Sequence, residues 1–180
     1  MCGIVGKVNF HGNIDGSDSI SDAINIMMHR GPNEQKRVMG EYWDVGFCRL
    51  SILDLSSTGS QPMYCRDQNS IIIFNGEIYN FTDLKSKLIK DGIQFKSSGD
   101  TEVLLYWLKK YGSDGLKDLN GMFSIAYIDI NKKKLLLARD RLGKKPLLYS
   151  KKGDEIFFSS EIKALLKIGI GKEINQQAVK

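Results

Sequence analysis

The chain opens on an apolar, partly β-branched run, residues 4–10, whose length and composition predict a strand. The period then changes. Ile20, Ala23, Ile24, Met27 and Met28 recur at helical spacing, which predicts a helix over 17–28, with Ser19 and Asp22 a weak capping signal at its start. Residues 45–52 and 70–74 read as strands. Phe81, Leu84, Leu88 and Ile89 place a helix over 80–90, with Asn80 at its cap and Gly92 after its end. A second helix is predicted over 101–111. Beyond it lie four short apolar runs, 122–130, 134–140, 146–152 and 155–160, joined by Asn, Gly and Lys; they predict a meander of strands, closed by a short helix over 161–168. Strands joined by short turns run antiparallel, so the class is α+β, with two sheets covered by helices. No repeat or low-complexity linker interrupts the pattern, and residues 1–180 are expected to form one domain.

Composition changes this picture little. With 42% hydrophobic and 26% charged residues the chain is of globular type. No run approaches the length of a membrane span, and no secretory signal opens the chain, so the cytoplasm is the default compartment. Three widely spaced cysteines argue against a disulfide framework, and two histidines against zinc; Cys48 and Cys65 are expected to be free thiols. The net charge of +5 raises the question of nucleic acid. Its basic groups at 131–134, 144–145 and 151–152 fall between apolar runs without interleaved aromatics, so they are expected to be solvated turn residues.

Several stretches carry candidate chemistry. In MCGIVG, Cys2 is either a small apolar residue of the first strand or a nucleophile that becomes the first residue once Met1 is removed, with thiol and free α-amine on one residue. In FNGEIYN, Asn75-Gly76 is either a hairpin turn or an oxyanion hole made by a side-chain amide and a backbone N–H. In SGDTE, Asp100 either caps the helix starting at Thr101 or binds an ammonium group. Arg49, set among apolar residues, needs an anion: a structural carboxylate or that of a substrate. His29-Arg30-Gly31-Pro32 ends a helix, or walls the pocket of the nucleophile.

Together these stretches resemble the glutaminase domain of class II glutamine amidotransferases, which are N-terminal nucleophile hydrolases. Within them they are most similar to glutamine-hydrolysing asparagine synthetases. The matching segments are CGIVG at 2–6, HRGP at 29–32, RLSILDLS at 49–56, QPM at 61–63, NGEIYN at 75–80, SGDTE at 98–102, DRLGKKPL at 140–147 and SSEIKALL at 159–166. Where the family usually continues HRGP with Asp, this chain has Asn33.

The resemblance implies a four-layer αββα sandwich and L-glutamine as substrate. It implies that Cys2 is the nucleophile, that Asn75 and Gly76 form the oxyanion hole, that Arg49 binds the α-carboxylate, that Asp100 with Glu77 binds the α-ammonium, and that Leu50 and Ile52 line the pocket. His29 and Arg30 receive no chemical step. No cofactor is expected in this domain. ATP and Mg are expected only in a synthetase domain of the same longer chain, absent here, which would amidate aspartate; the chain is therefore expected to be the N-terminal part of a longer protein. A homodimer is compatible with the resemblance. Two other readings stay open, a domain acting on a sugar acid in surface-polysaccharide synthesis and a non-catalytic glutamine-sensing module. A third, an interaction domain active only beside the synthetase half, is separated from them by assay with and without that half.

Overall fold

The computed structural model describes residues 1–51 and 57–171. One sheet contains β2 (Glu34–Met39), β3 (Trp43–Arg49), β1 (Gly3–Val8), β9 (Glu155–Ser159) and β8 (Leu148–Lys152), in that order. The other contains β4 (Met63–Tyr64), β5 (Ser70–Ile78), β6 (Gly121–Asp129) and β7 (Lys134–Arg139). Every strand pairing in both sheets is antiparallel.

Strand alternation builds three cores between four layers. Ile4, Val8, Phe47, Ile71, Ile73 and Phe158 interdigitate between the sheets. Val5 and Phe157 point the other way, against Ile20, Ala23 and Ile24 of α1 (Ser19–Ile26) and Ala164 and Leu165 of α4 (Ile162–Lys167). Ile72, Phe74 and Ile78 pack under Leu84 and Leu88 of α2 (Phe81–Lys90) and under α3 (Asp100–Tyr111). This is the expected αββα sandwich.

Several local expectations are corrected. The last four strands are not one meander: β6 and β7 belong to one sheet, β8 and β9 to the other, and residues 140–147 cross between them. β2 was not predicted, because Glu34–Met39 carries mostly polar side chains on an edge strand with one half-covered face. β4 was missed because it is only two residues long. Neither α1 nor α2 has a side-chain cap bond. Asn80 instead ties down the 118–120 loop, donating to the Asp118 carbonyl at 2.8 Å and accepting from the Asn120 amide at 3.0 Å. The sequence 70–74 reads as a strand that stops at Asn75-Gly76, whereas β5 runs on to Ile78. No hairpin forms there.

Candidate active site

β1 delivers the chain start to the rim between the sheets. Cys2 sits just outside the ladder, whose first pair is Gly3 with Cys48. Its thiol donates to the Leu50 carbonyl at 3.6 Å, and its sulfur accepts from the Leu50 amide at 3.4 Å. Burial pushes the Cys2 thiol up from its ordinary value. The Leu50 amide, the N-terminal amine, Lys145 and Arg49 pull it down, without cancelling the effect of burial.

One cavity is lined by Cys2, Arg49, Leu50, Asn75, Gly76, Glu77 and Asp100. Seven of the eight expected site residues are thus brought together, from the residue before β1, the end of β3 and the residue after it, β5 and α3; Ile52 lies outside the described residues. Arg49 ends β3 and pairs across the ladder with Glu34, its Nη1 3.3 Å from Glu34 Oε2. Asn33 accepts the Ser51 amide on Oδ1 at 3.1 Å, a bond that needs no charge on residue 33.

The edge of β5 has a definite hydrogen-bond pattern. Phe123 opposes Gly76, yet both its backbone groups bond to Asp140, on the far side of β6. Gly76 therefore forms a non-hydrogen-bonded pair, and its N–H points away from β6, as do those of Phe74 and Ile78. Phe74 N–H is satisfied by Gln61 Oε1 at 2.6 Å, and Ile78 N–H by Asp100 Oδ2 at 2.9 Å. Between them the Gly76 N–H faces the cavity. Its neighbour Asn75 is buried, and Asn75 Nδ2 has no hydrogen-bond partner among the described residues. Glycine is required at 76 for a reason other than substrate access: a Cβ would stand 2.1 Å from the Met122 carbonyl oxygen and 2.7 Å from Phe123 Cα.

Asp100 is the first residue of α3 rather than its cap, a position held by Gly99. Burial pushes its carboxyl up, the Ile78 amide pulls it down, and Glu77 pushes it up again. Two carboxylates at one cavity wall suit a cation.

Lys145 corrects the reading of the basic residues at 144–145 as solvated. It is only 9% exposed and lines the same cavity. Asp140 holds its loop, accepting the amides of Leu142 and Lys144 on Oδ1 and of Lys145 on Oδ2 at 2.9–3.2 Å. Arg139 adds bonds to the carbonyls of Gly143 and Lys145. Sequence reasoning missed Lys145 and Gln61. The signals present were Asp140, a turn former five residues ahead of Lys145, and the polar Gln61 beside Pro62 before an apolar strand. Among the described residues, no group of three or more His, Cys, Asp or Glu could hold a metal ion.

Residues 1–180 match a family described as the glutamine amidotransferase domain. The chain belongs to this family. Among curated glutamine amidotransferase relatives, asparagine synthetase [glutamine-hydrolyzing] 1 of Bacillus subtilis is 37% identical over 99% of this chain. A putative asparagine synthetase [glutamine-hydrolyzing] 2 of Methanocaldococcus jannaschii is also 37% identical, over 98% of it. The chain spans only 29% and 36% of those proteins, respectively. A solved structure of glutamine phosphoribosylpyrophosphate amidotransferase from B. subtilis superposes with a TM-score of 0.74, at 22% identity over 93% of this chain and 44% of that one. This likeness shows the shared fold. No helix among the described residues is long and apolar enough to cross a membrane.

Proposed function

We propose that this amidotransferase domain hydrolyses L-glutamine to glutamate and ammonia through a thioester on Cys2. We further propose that it passes the ammonia to an ATP-dependent synthetase domain of a longer chain, with aspartate as acceptor. The observation that carries the reading is a pair of consecutive groups on β5 at a cavity that Cys2 also lines: Asn75 Nδ2, buried without a partner among the described residues, and the Gly76 N–H, turned away from β6. A buried donor without a partner costs about 1–3 kcal/mol. A growing negative charge on a substrate oxygen would recover it.

In this reading Arg49 binds the glutamine α-carboxylate, in exchange for part of its contact with Glu34. Asp100 and Glu77 bind the α-ammonium. Leu50 flanks the side-chain amide, and we extend the same role to Ile52 on the family resemblance. After loss of Met1, the α-amine of Cys2 takes the thiol proton as sulfur attacks the amide carbon, and later gives it to the departing nitrogen. An α-amine titrates at about 7.7–8.0, and burial holds the Cys2 thiol above its ordinary value, so the proton passes to the amine as the sulfur attacks rather than before it. Asn75 and Gly76 hold the oxyanion, and losing one such donor costs about 2.7–4 kcal/mol of barrier. Water then cleaves the thioester. Attacker, base and donors all come from the chain, so the domain itself requires no cofactor. We assign it to the cytoplasm, where its three free cysteines stay reduced.

The test is release of glutamate and ammonia by protein whose Met1 has been removed, verified by intact mass. Loss of release in Cys2→Ala supports the reading. Binding of glutamine without turnover would make the domain a sensing module. Full activity in a chain that retains Met1 would remove the amine from the mechanism.

A further inference from the structure

We propose that Arg30 positions Cys2 by holding its carbonyl oxygen, and that Glu161 holds Arg30 in that place. The inference rests on the reading of Cys2 as the nucleophile, and it joins two motifs, HRGP and SSEIKALL, to which that reading gives no task.

Cys2 has an unusual positioning problem. As a first residue it carries both attacker and base, and both move when its Cα moves. No peptide precedes it, and the β1 ladder begins only at Gly3. Its carbonyl is therefore the one backbone acceptor through which the fold can fix it. Arg30 Nε donates to that oxygen at 3.0 Å. The arginine comes from the 3-10 turn Met28–Arg30 after α1, and its side chain is 9% exposed. Its Nη1 donates to Glu161 Oε1 at 3.1 Å. His29 Nε2 lies 2.9 Å from the same oxygen.

Glu161 is itself placed by the start of β1. The Ile4 amide donates to Ser160 Oγ at 3.0 Å, and the Ser160 amide donates back to the Ile4 carbonyl at 2.8 Å. The Glu161 amide is held by Ser159 Oγ at 3.2 Å. Three distant segments thus close into one clamp around the chain start. The guanidinium is kept at a cost, because Arg30 Nη2 is buried without a partner among the described residues. An apolar residue would fill this space without that penalty. What the charge adds is a fixed fork between Glu161 and the Cys2 carbonyl.

The test uses Met1-processed protein carrying Arg30→Met, Glu161→Ala, both together, or Glu161→Gln. The readouts are steady-state glutaminase kinetics, thermal stability, and hydrogen exchange of the peptide covering residues 2–6. Arg30 touches no substrate in this assignment. Arg30→Met and Glu161→Ala are therefore each expected to lose about 100-fold in kcat, with KM changed by less than about threefold, as befits a misplaced nucleophile. The double variant should be no worse than the worse single. Exchange over 2–6 should accelerate while β5 keeps its protection, and Glu161→Gln, which retains an acceptor for Nη1, should recover most of kcat. Unchanged kcat in folded Arg30→Met or Glu161→Ala, multiplying losses in the double, or unchanged exchange over 2–6 in these variants would overturn the proposal. Should Arg30→Met fail to fold, Arg30→Lys and the Glu161 variants carry the same comparison. If the parent protein releases no glutamate, the function reading fails, and the exchange data still decide the clamp.

Discussion

The sulfur of Cys2 and the peptide unit of Leu50 hold each other twice, the thiol donating to the carbonyl at 3.6 Å and the amide donating to the sulfur at 3.4 Å. The amide favours a thiolate, but burial dominates and raises the pKa. In protein that retains Met1, alkylation of Cys2 by iodoacetamide, followed by peptide mapping, should therefore show its midpoint above that of an ordinary cysteine, about 8.5. Lys145→Met should move it higher still, because Lys145 is among the cations that lower it. Cys48, pushed up to about 11 chiefly by burial, should lag at every lower pH.

Asp100 is expected to oppose stability while serving binding. Its folded pKa is raised, so its favourable contribution is fully present below the unfolded value and is lost as pH rises through the folded one. Asp100→Asn should consequently raise the melting temperature at pH 7 and leave it nearly unchanged in acid. The same change removes the charge facing the substrate ammonium, and KM for glutamine should rise roughly 30-fold, the equivalent of about 2 kcal/mol. Thermal scans at two pH values beside initial-rate kinetics check both halves.

Asn75 and Gly76 should separate chemistry from folding. Asn75→Ala removes a buried donor that has no partner among the described residues, so stability should hold or improve while kcat falls about 100- to 1000-fold. Gly76→Ala drives a methyl into the β6 backbone, 2.1 Å from the Met122 oxygen. It should cost about 1–3 kcal/mol or more in denaturant unfolding, as well as activity.

Asp140 is the opposite of Asp100. Burial works against its charge, but its bonds to the amides of Lys145, Lys144, Phe123 and Leu142 outweigh it, and its pKa is lowered. Its stabilisation is present above the usual aspartate range and is lost as pH falls through the folded value. Asp140→Ala should cost roughly 3 kcal/mol at neutral pH, since bonds to a charged group contribute about 1.5–3 kcal/mol each and do not add fully. The penalty should shrink in acid, which denaturant titrations at pH 7 and pH 3 would show.

The sequence carried the layers and much of the cavity because both follow from local patterns. Alternation in β5 and helical spacing in α1 and α2 announce their elements, and Cys2, Arg49 and Asp100 are polar or reactive groups in apolar or capping contexts. The misreadings have a common cause. Asn75-Gly76 has the letters of a turn, and only the pairing of β5 with β6 through Ile78–Gly121 shows the strand continuing. Lys145 has the letters of a solvated loop, and only Asp140 and Arg139, folding that loop back on itself, bury it. Arg30 and Glu161 meet across 131 residues of chain, a distance at which no local pattern speaks.

β5 also works as a ruler. Its odd-numbered residues turn Ile71, Ile73 and Asn75 toward the gap between the sheets, and its even-numbered ones turn Ile72, Phe74 and Ile78 toward the helices. A slip of one residue against β6 would swap these faces, hiding the carboxamide under α3 and bringing a phenylalanine to the sulfur. The isoleucines that resist this slip because they fit only one face therefore set the aim of the donors a few ångströms further along, so the tolerance of the chemistry is written in the greasiest part of the strand.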